Sequence, residues 1–165
     1  MSAVDLRELI ARLVGADVDF IIVGGLAVNA WGHIRTTRDL DIVPDPSPTN
    51  LDRLAVVLRE LDGKVETPDG RLGSGAIATF LAAGDRALVA TTLGPVDVLQ
   101  GLPQVPRYSE LDRDAVTVDL GDLRIRVCSL QALLAMKRAA NRPSDVADVD
   151  ALEIANRLTP EDTEL

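Results

Sequence analysis

Residues 20–44 read FIIVGGLAVNAWGHIRTTRDLDIVP, and this stretch decides the fold. Phe20 to Val23 is a short, unbroken apolar run rich in β-branched residues and closed by Gly24 and Gly25, the pattern of a buried strand. Leu26 to Trp31 then predicts a helix packed back on that strand. After a turn containing Arg35, Thr36, Thr37 and Arg38, the run Asp39-Leu40-Asp41-Ile42-Val43 alternates acid and apolar residues and predicts a second strand.

Upstream, Leu6, Leu9, Ile10, Leu13 and Val14 recur at helical spacing and predict a helix over 3–16 ending near Gly15. Downstream, prolines 44, 46 and 48 end the second strand, and 49–61 carries a helical apolar stripe with Thr49 or Asn50 placed to cap its first turn. Gly63, Pro68, Gly70, Gly73 and Gly75 mark loops. ATFLAAG (78–84), RALVATT (86–92) and GPVDVLQG (94–101) read as three short strands of a meander. Beyond Pro103 and Pro106, AVTVDLGDLRIRVCS (115–129) reads as a hairpin turning at Gly121-Asp122, followed by helices at about 129–140 and 144–158. The expectation is a single α+β domain, a mixed β-sheet flanked by helices, with its core over about 17–128 and C-terminal helices over about 129–158.

The chemistry of this chain rests on carboxylates. Asp39 and Asp41 stand two apart on an expected strand, so both leave one face with Cα atoms about 6.6 Å apart. Unpaired they would repel each other, and a shared divalent cation is the simplest compensation. Asp97, flanked by Val96 and Val98 in a later apolar strand, is the natural third acid. Magnesium takes oxygen ligands and keeps positions open for substrate phosphates. Gly24 and Gly25, between strand and helix, let a phosphate approach the backbone and its free N–H groups.

Composition narrows the classes. The chain has 17 basic against 26 acidic residues, a net charge of −9, which argues against general polyanion binding. Two Phe, one Tyr and one Trp leave few rings on which bases could stack. Cys128 is the only cysteine, so it forms no internal disulfide, and it reads as a buried strand residue. No apolar run approaches a membrane span, and the amphipathic first residues lack a basic-then-apolar leader, so a cytoplasmic location is expected.

The 20–44 stretch resembles the DNA polymerase β-type nucleotidyltransferase superfamily, in particular the AbiEii-type toxins of toxin–antitoxin and abortive-infection systems. That resemblance implies a minimal nucleotidyltransferase fold, metal binding and catalysis by Asp39, Asp41 and Asp97, and nucleotide phosphates held at Gly24 and Gly25. Some relatives have a serine hydroxyl at the position of Gly25. LQALLAMKRAANRPSDVADVDAL (130–152) resembles the helical ending of the same group, which implies that Lys137 contacts phosphates and that Asp148 positions it.

The expected activity is transfer of a nucleoside monophosphate from a nucleoside triphosphate to an acceptor hydroxyl, with Mg²⁺ or Mn²⁺ as cofactor. RNA or tRNA, or a protein side chain, is the acceptor that the toxin likeness implies, with an antitoxin protein as partner and no membrane. Small size and acidic charge suit instead a small-molecule acceptor of the aminoglycoside kind, and a catalytically silent nucleotide-binding partner keeps the same fold. Arg35 and Arg38 could bind triphosphate or only pair with nearby acids, and Asp145 is explained by capping the last helix. His33 reads as structural or exposed and Trp31 as core or interface.

Overall fold

The structure, a computed structural model, describes residues 4–157. Within them one eight-stranded mixed sheet runs in the order β4-β3-β5-β6-β2-β1-β8-β7. Its strands are β1 (Phe20–Val23), β2 (Leu40–Pro44), β3 (Lys64–Thr67), β4 (Gly70–Leu72), β5 (Ala87–Thr91), β6 (Gly94–Val98), β7 (Val116–Leu120) and β8 (Leu123–Val127). Seven α-helices accompany it among the described residues: α1 (Leu6–Gly15), α2 (Gly24–Ala30), α3 (Pro48–Glu60), α4 (Ile77–Ala82), α5 (Tyr108–Asp114), α6 (Leu130–Ala140) and α7 (Pro143–Ala155). None of the helices is long and apolar enough to cross a membrane.

The sheet centre follows from apolar patterning. All four residues of β1 are buried, as its unbroken apolar run requires, and β1 lies between antiparallel β2 and parallel β8. On β2, Leu40 and Ile42 are fully buried; on neighbouring β6, Val96 and Val98 are too. The parallel pairing of these two strands sets Asp41 directly beside Asp97. Laterally paired residues leave a sheet on the same face, so the two carboxylates are neighbours about 4.8 Å apart at the backbone.

Several elements differ from the sequence reading. ATFLAAG is not a strand: Ile77 and Leu81, four apart and buried, make its start the apolar stripe of α4. The 64–72 segment is the β3–β4 hairpin and not plain loop, and a short helix, α5, follows the proline loop. Helix α2 begins at Gly24 itself, and β2 begins at Leu40, leaving Asp39 just ahead of the strand. Residue 158, the expected last residue of the final helix, lies outside the described residues.

Ser47 and not Thr49 or Asn50 occupies the N-cap of α3, and Asn50 is buried inside the first turn. Its side-chain oxygen accepts from the Asp19 amide at 2.7 Å, and its amide nitrogen donates to the carbonyls of Asp19 at 2.9 Å and Asp45 at 2.8 Å. One side chain thereby ties the entry of β1 to the exit of β2. Replacing it takes the partner from the Asp19 amide and the Asp45 carbonyl, while the Asp19 carbonyl keeps the Asp45 amide at 3.0 Å, so Asn50→Ala should cost about 1–3 kcal/mol in urea unfolding at unchanged m-value. A loss within experimental error of zero would show that water or a local shift satisfies those groups.

Candidate active site

The site is a consequence of register. Val23, the last residue of β1, pairs with Asp41 of β2, so the chain leaving β1 must turn beside the Asp41 carboxylate. Gly24 makes that turn with φ +67°, and a Cβ there would lie 2.0 Å from Asp41 Oδ2. Gly24 is therefore required twice, for a left-handed backbone and for the space its missing side chain leaves. At Gly25 a Cβ would come within 2.6 Å of Thr37 Oγ1, which brings the Arg35–Arg38 turn close over the glycine pair. The Gly25 amide is near enough to Asp41 to act against the upward push on its carboxyl, so this N–H faces a carboxylate of the protein itself.

Asp41 carries the strain of the arrangement. Burial, then Asp97, then Asp39, push its carboxyl up from the ordinary 3.8 to about 6, against smaller lowering influences from Lys137 and the Gly25 amide. Asp97 is gripped from the other side: Arg86 Nε donates to one carboxylate oxygen at 2.9 Å and Nη2 to the other at 2.7 Å. Alternation along β5 explains the reach. Leu88 pairs with Asp97, and Arg86, two residues earlier, projects to the same face.

Across the cleft, α7 presents two buried acids, Asp145 and Asp148, exposed by only 1% and 3%. Three apart on one helix, they share a face. Lys137 of α6 lies between them, 3.2 Å from Asp145 and 3.0 Å from Asp148. Arg142 binds Asp145, and Arg35 binds both oxygens of Asp148 at 2.9 Å. Burial alone would raise both acids, but the hydrogen bonds from Arg142 and Lys137 hold Asp145 below its ordinary value, and those from Arg35 and Lys137 hold Asp148 below its own. Two fixed negative charges thus anchor three cations at the cleft wall.

Gly24, Gly25, Arg38, Asp39, Asp41, Asp97 and Lys137 all line one open cleft of about 680 Å³. Arg35, Arg86, Arg142 and Asp145 line it as well. Of these, Arg86 and Arg142 are absent from the sequence reading. Asp145 does cap α7, its carboxylate accepting from the Arg142 amide at 3.2 Å, and it also holds Lys137. His33 approaches Asp148 at 4.0 Å, Trp31 donates to the Cys128 carbonyl at 2.9 Å, and burial pushes the Cys128 thiol up to about 12. Neither Trp31 nor Cys128 lines the cleft.

The fit of a divalent ion follows from this charge pattern. Three carboxylates crowd one end of the cleft strongly enough to raise Asp41, and hard oxygen donors of this kind suit Mg²⁺ or Mn²⁺. As the side chains stand, however, no three acid, histidine or cysteine groups among the described residues are gathered to hold an ion, and Asp97 is engaged by Arg86. The donor types fit a divalent ion, and Asp97 would have to exchange its Arg86 partner to join them.

This architecture defines a class. The fold is that of nucleotidyltransferases: it is similar to the lincosamide antibiotic adenylyltransferase LnuA in its lincomycin-bound crystal structure, with a TM-score of 0.65, 18% identity, and coverage of 90% of this chain and 94% of that one. It is also similar to ANT(2″)-Ia in complex with adenylyl-2″-tobramycin, with a TM-score of 0.60, 15% identity and coverage of 96% and 90%. A putative nucleotidyltransferase from Thermotoga maritima is similar with a TM-score of 0.53, 15% identity and coverage of 93% and 91%. No curated protein matches the sequence. Over residues 4–163 the chain belongs to the family described as "Nucleotidyltransferase of unknown function (DUF6036)".

The raised carboxyl of Asp41 has a measurable consequence. A folded-state value near 6 against an ordinary 3.8 means that the native state binds the proton more tightly. Its contribution to stability therefore improves as pH falls from about 6 towards 4, and the full penalty applies above 6. In chelator at pH 8, Asp41→Asn should be more stable than the wild type by on the order of 1–3 kcal/mol, the gap closing as pH falls towards 4. A variant less stable than the wild type at pH 8 would contradict this account of the site.

Proposed function

We propose that the protein transfers a nucleoside monophosphate from a nucleoside triphosphate to a hydroxyl group of a small molecule. The observation that supports this reading is that one cleft gathers acids and cations together. Asp39, Asp41 and Asp97 line it beside the Gly24-Gly25 turn, and Arg35, Lys137 and Arg142, held by buried Asp145 and Asp148, line it as well. A triphosphate needs both: cations for its oxygens, and acids placed to bring a divalent ion to the reacting phosphate.

A bound Mg²⁺ or Mn²⁺ would supply charge neutralisation at the phosphates and a more acidic acceptor hydroxyl. The chain's own residues do the rest. Lys137, Arg35 and Arg38 orient the triphosphate, while the absence of side chains at Gly24 and Gly25 lets the Asp41 carboxylate and the Thr37 turn close in at the acids. The acceptor oxygen attacks the α-phosphorus, the bond from that phosphorus to the bridging oxygen breaks, and pyrophosphate departs with the electron pair. Asp97 stands to accept the acceptor's proton.

The acceptor's size follows from a second cavity. About 960 Å³ in volume, it shares Leu99, Leu102 and Val105 with the catalytic cleft and lies along the loop that leaves β6 just after Asp97. Val43, Pro44, Pro103, Pro106 and Tyr108 give it largely apolar walls, and its charged residues are mixed, Asp45, Glu110 and Asp112 beside Arg107, with Asp112 ion-paired to Arg126. Such a volume and such walls suit a small molecule with an apolar face. Two structural neighbours, one bound to lincomycin and one to an adenylylated tobramycin, fit the same class of acceptor. A cytoplasmic enzyme acting on a diffusible substrate is the corresponding cellular picture.

Incubation with labelled nucleoside triphosphates, Mg²⁺ and either a panel of hydroxylated small molecules or total RNA tests the proposal. Label should move to a small molecule, with pyrophosphate released, and Asp41→Asn should lower the rate at least about 10³-fold, the scale for loss of a group acting in the transition state. Label transferred to RNA would replace the small-molecule reading with the toxin-like one. Absence of any nucleotide binding would favour a catalytically silent partner protein.

A further inference from the structure

Arg86 joins the catalytic end of the cleft from outside the sequence motifs. Its two-point contact with Asp97 has a built-in asymmetry: the acid is fixed on β6 between buried Val96 and Val98, with its side chain 13% exposed, whereas the Arg86 side chain is 50% exposed. Arg86 is rooted just before β5, two residues after Gly84, whose φ is +73°. The cation can therefore leave without disturbing the sheet, and the acid cannot follow it.

The surrounding charge shows what that contact leaves undone. Arg86 neutralises Asp97, yet Asp41, paired with Asp97 across the β2–β6 register, and Asp39 line the same cleft and make no ion pair among the described residues. The acid end thus remains short of positive charge with Arg86 in place. An ion drawing on Asp97 competes with two charge-assisted hydrogen bonds. A displaced guanidinium stays in the same cleft, and its planar fork matches phosphate as well as carboxylate.

We propose that Arg86 is an exchangeable cation of the site, neutralising Asp97 until a divalent ion takes its place and then passing to a phosphate of the incoming nucleotide. This rests on the nucleotidyl-transfer reading above and adds to it a positioning residue that couples metal and nucleotide binding. Arg86 suppresses metal binding by the nucleotide-free protein and favours it once a triphosphate is present to receive the guanidinium.

Manganese titrations of the full chain, followed by the paramagnetic resonance signal of the free ion, test the exchange with and without a non-hydrolysable ATP analogue. Without nucleotide, Arg86→Met should bind Mn²⁺ about tenfold more tightly than the wild type, and with Mn²⁺ it should bind the analogue about tenfold more weakly. Arg86→Lys, which keeps the charge and loses the fork, should leave Mn²⁺ affinity within about twofold of the wild type while weakening the analogue. If the wild type binds Mn²⁺ with the analogue but Arg86→Met alone gains no Mn²⁺ affinity, the exchange is wrong and the nucleotidyl-transfer reading survives. If neither protein binds Mn²⁺ under any condition, both are overturned.

Discussion

Everything at this site descends from a pairing between two central strands that places Asp41 beside Asp97. Backbone hydrogen bonding fixes the spacing, so the carboxylates cannot relax apart as surface acids would, and burial removes the water that would screen them. The carboxyl of Asp41, pushed up to about 6, records that compression. A protein selected for stability alone would not place two acids side by side on its innermost strands. Their presence here is intelligible if a cation completes the set, because the backbone register already holds two of the acids side by side and only the Arg86 contact has to give way.

The opposite wall solves the complementary problem. Cations meant for a phosphate repel one another and, on flexible arms, would lose considerable freedom on binding. Asp145 and Asp148 meet both difficulties by holding Lys137, Arg142 and Arg35 from beneath. Because α7 is packed through Val149 and Leu152, the position of these charges is inherited from the apolar core. The C-terminal helices are therefore part of the site and not an appendage to it.

Legibility in the sequence divides along physical lines. The strand Phe20–Val23 and the hairpin about Gly121-Asp122 are read correctly because unbroken β-branched runs and a Gly-Asp turn report local conformation directly. ATFLAAG is misread because the stripe that makes it helical begins one residue earlier, at Ile77, and meets Leu81 four residues on. The β3–β4 hairpin escapes notice because Val65 is its only buried residue, although Pro68-Asp69-Gly70 is a turn signal. In the site, the glycine pair and the acids are visible as a motif. The α7 acids were accessible too, since 145, 148, 149 and 152 form one helical stripe in which the first two members are charged. Arg86 was not accessible: nothing local marks it, and only the β5–β6 register brings it to Asp97.

Register also bears on the nature of the acceptor. The loop that follows Val98 serves both cavities, because Leu99, Leu102 and Val105 line the cleft that Lys137 also lines and the second cavity as well. On the reading proposed above, the acceptor would approach along this loop while the nucleotide lies against Arg35, Lys137 and Arg142. Charge there is mixed, Asp45, Glu110 and Asp112 standing beside Arg107 and Asp112 being paired with Arg126, so it is the apolar wall of Val43, Pro44 and Pro103 that would do most to choose among acceptors on that reading. On that reading, selectivity for the acceptor would fall to the loop beyond β6, and the chemistry to the residue two positions before it.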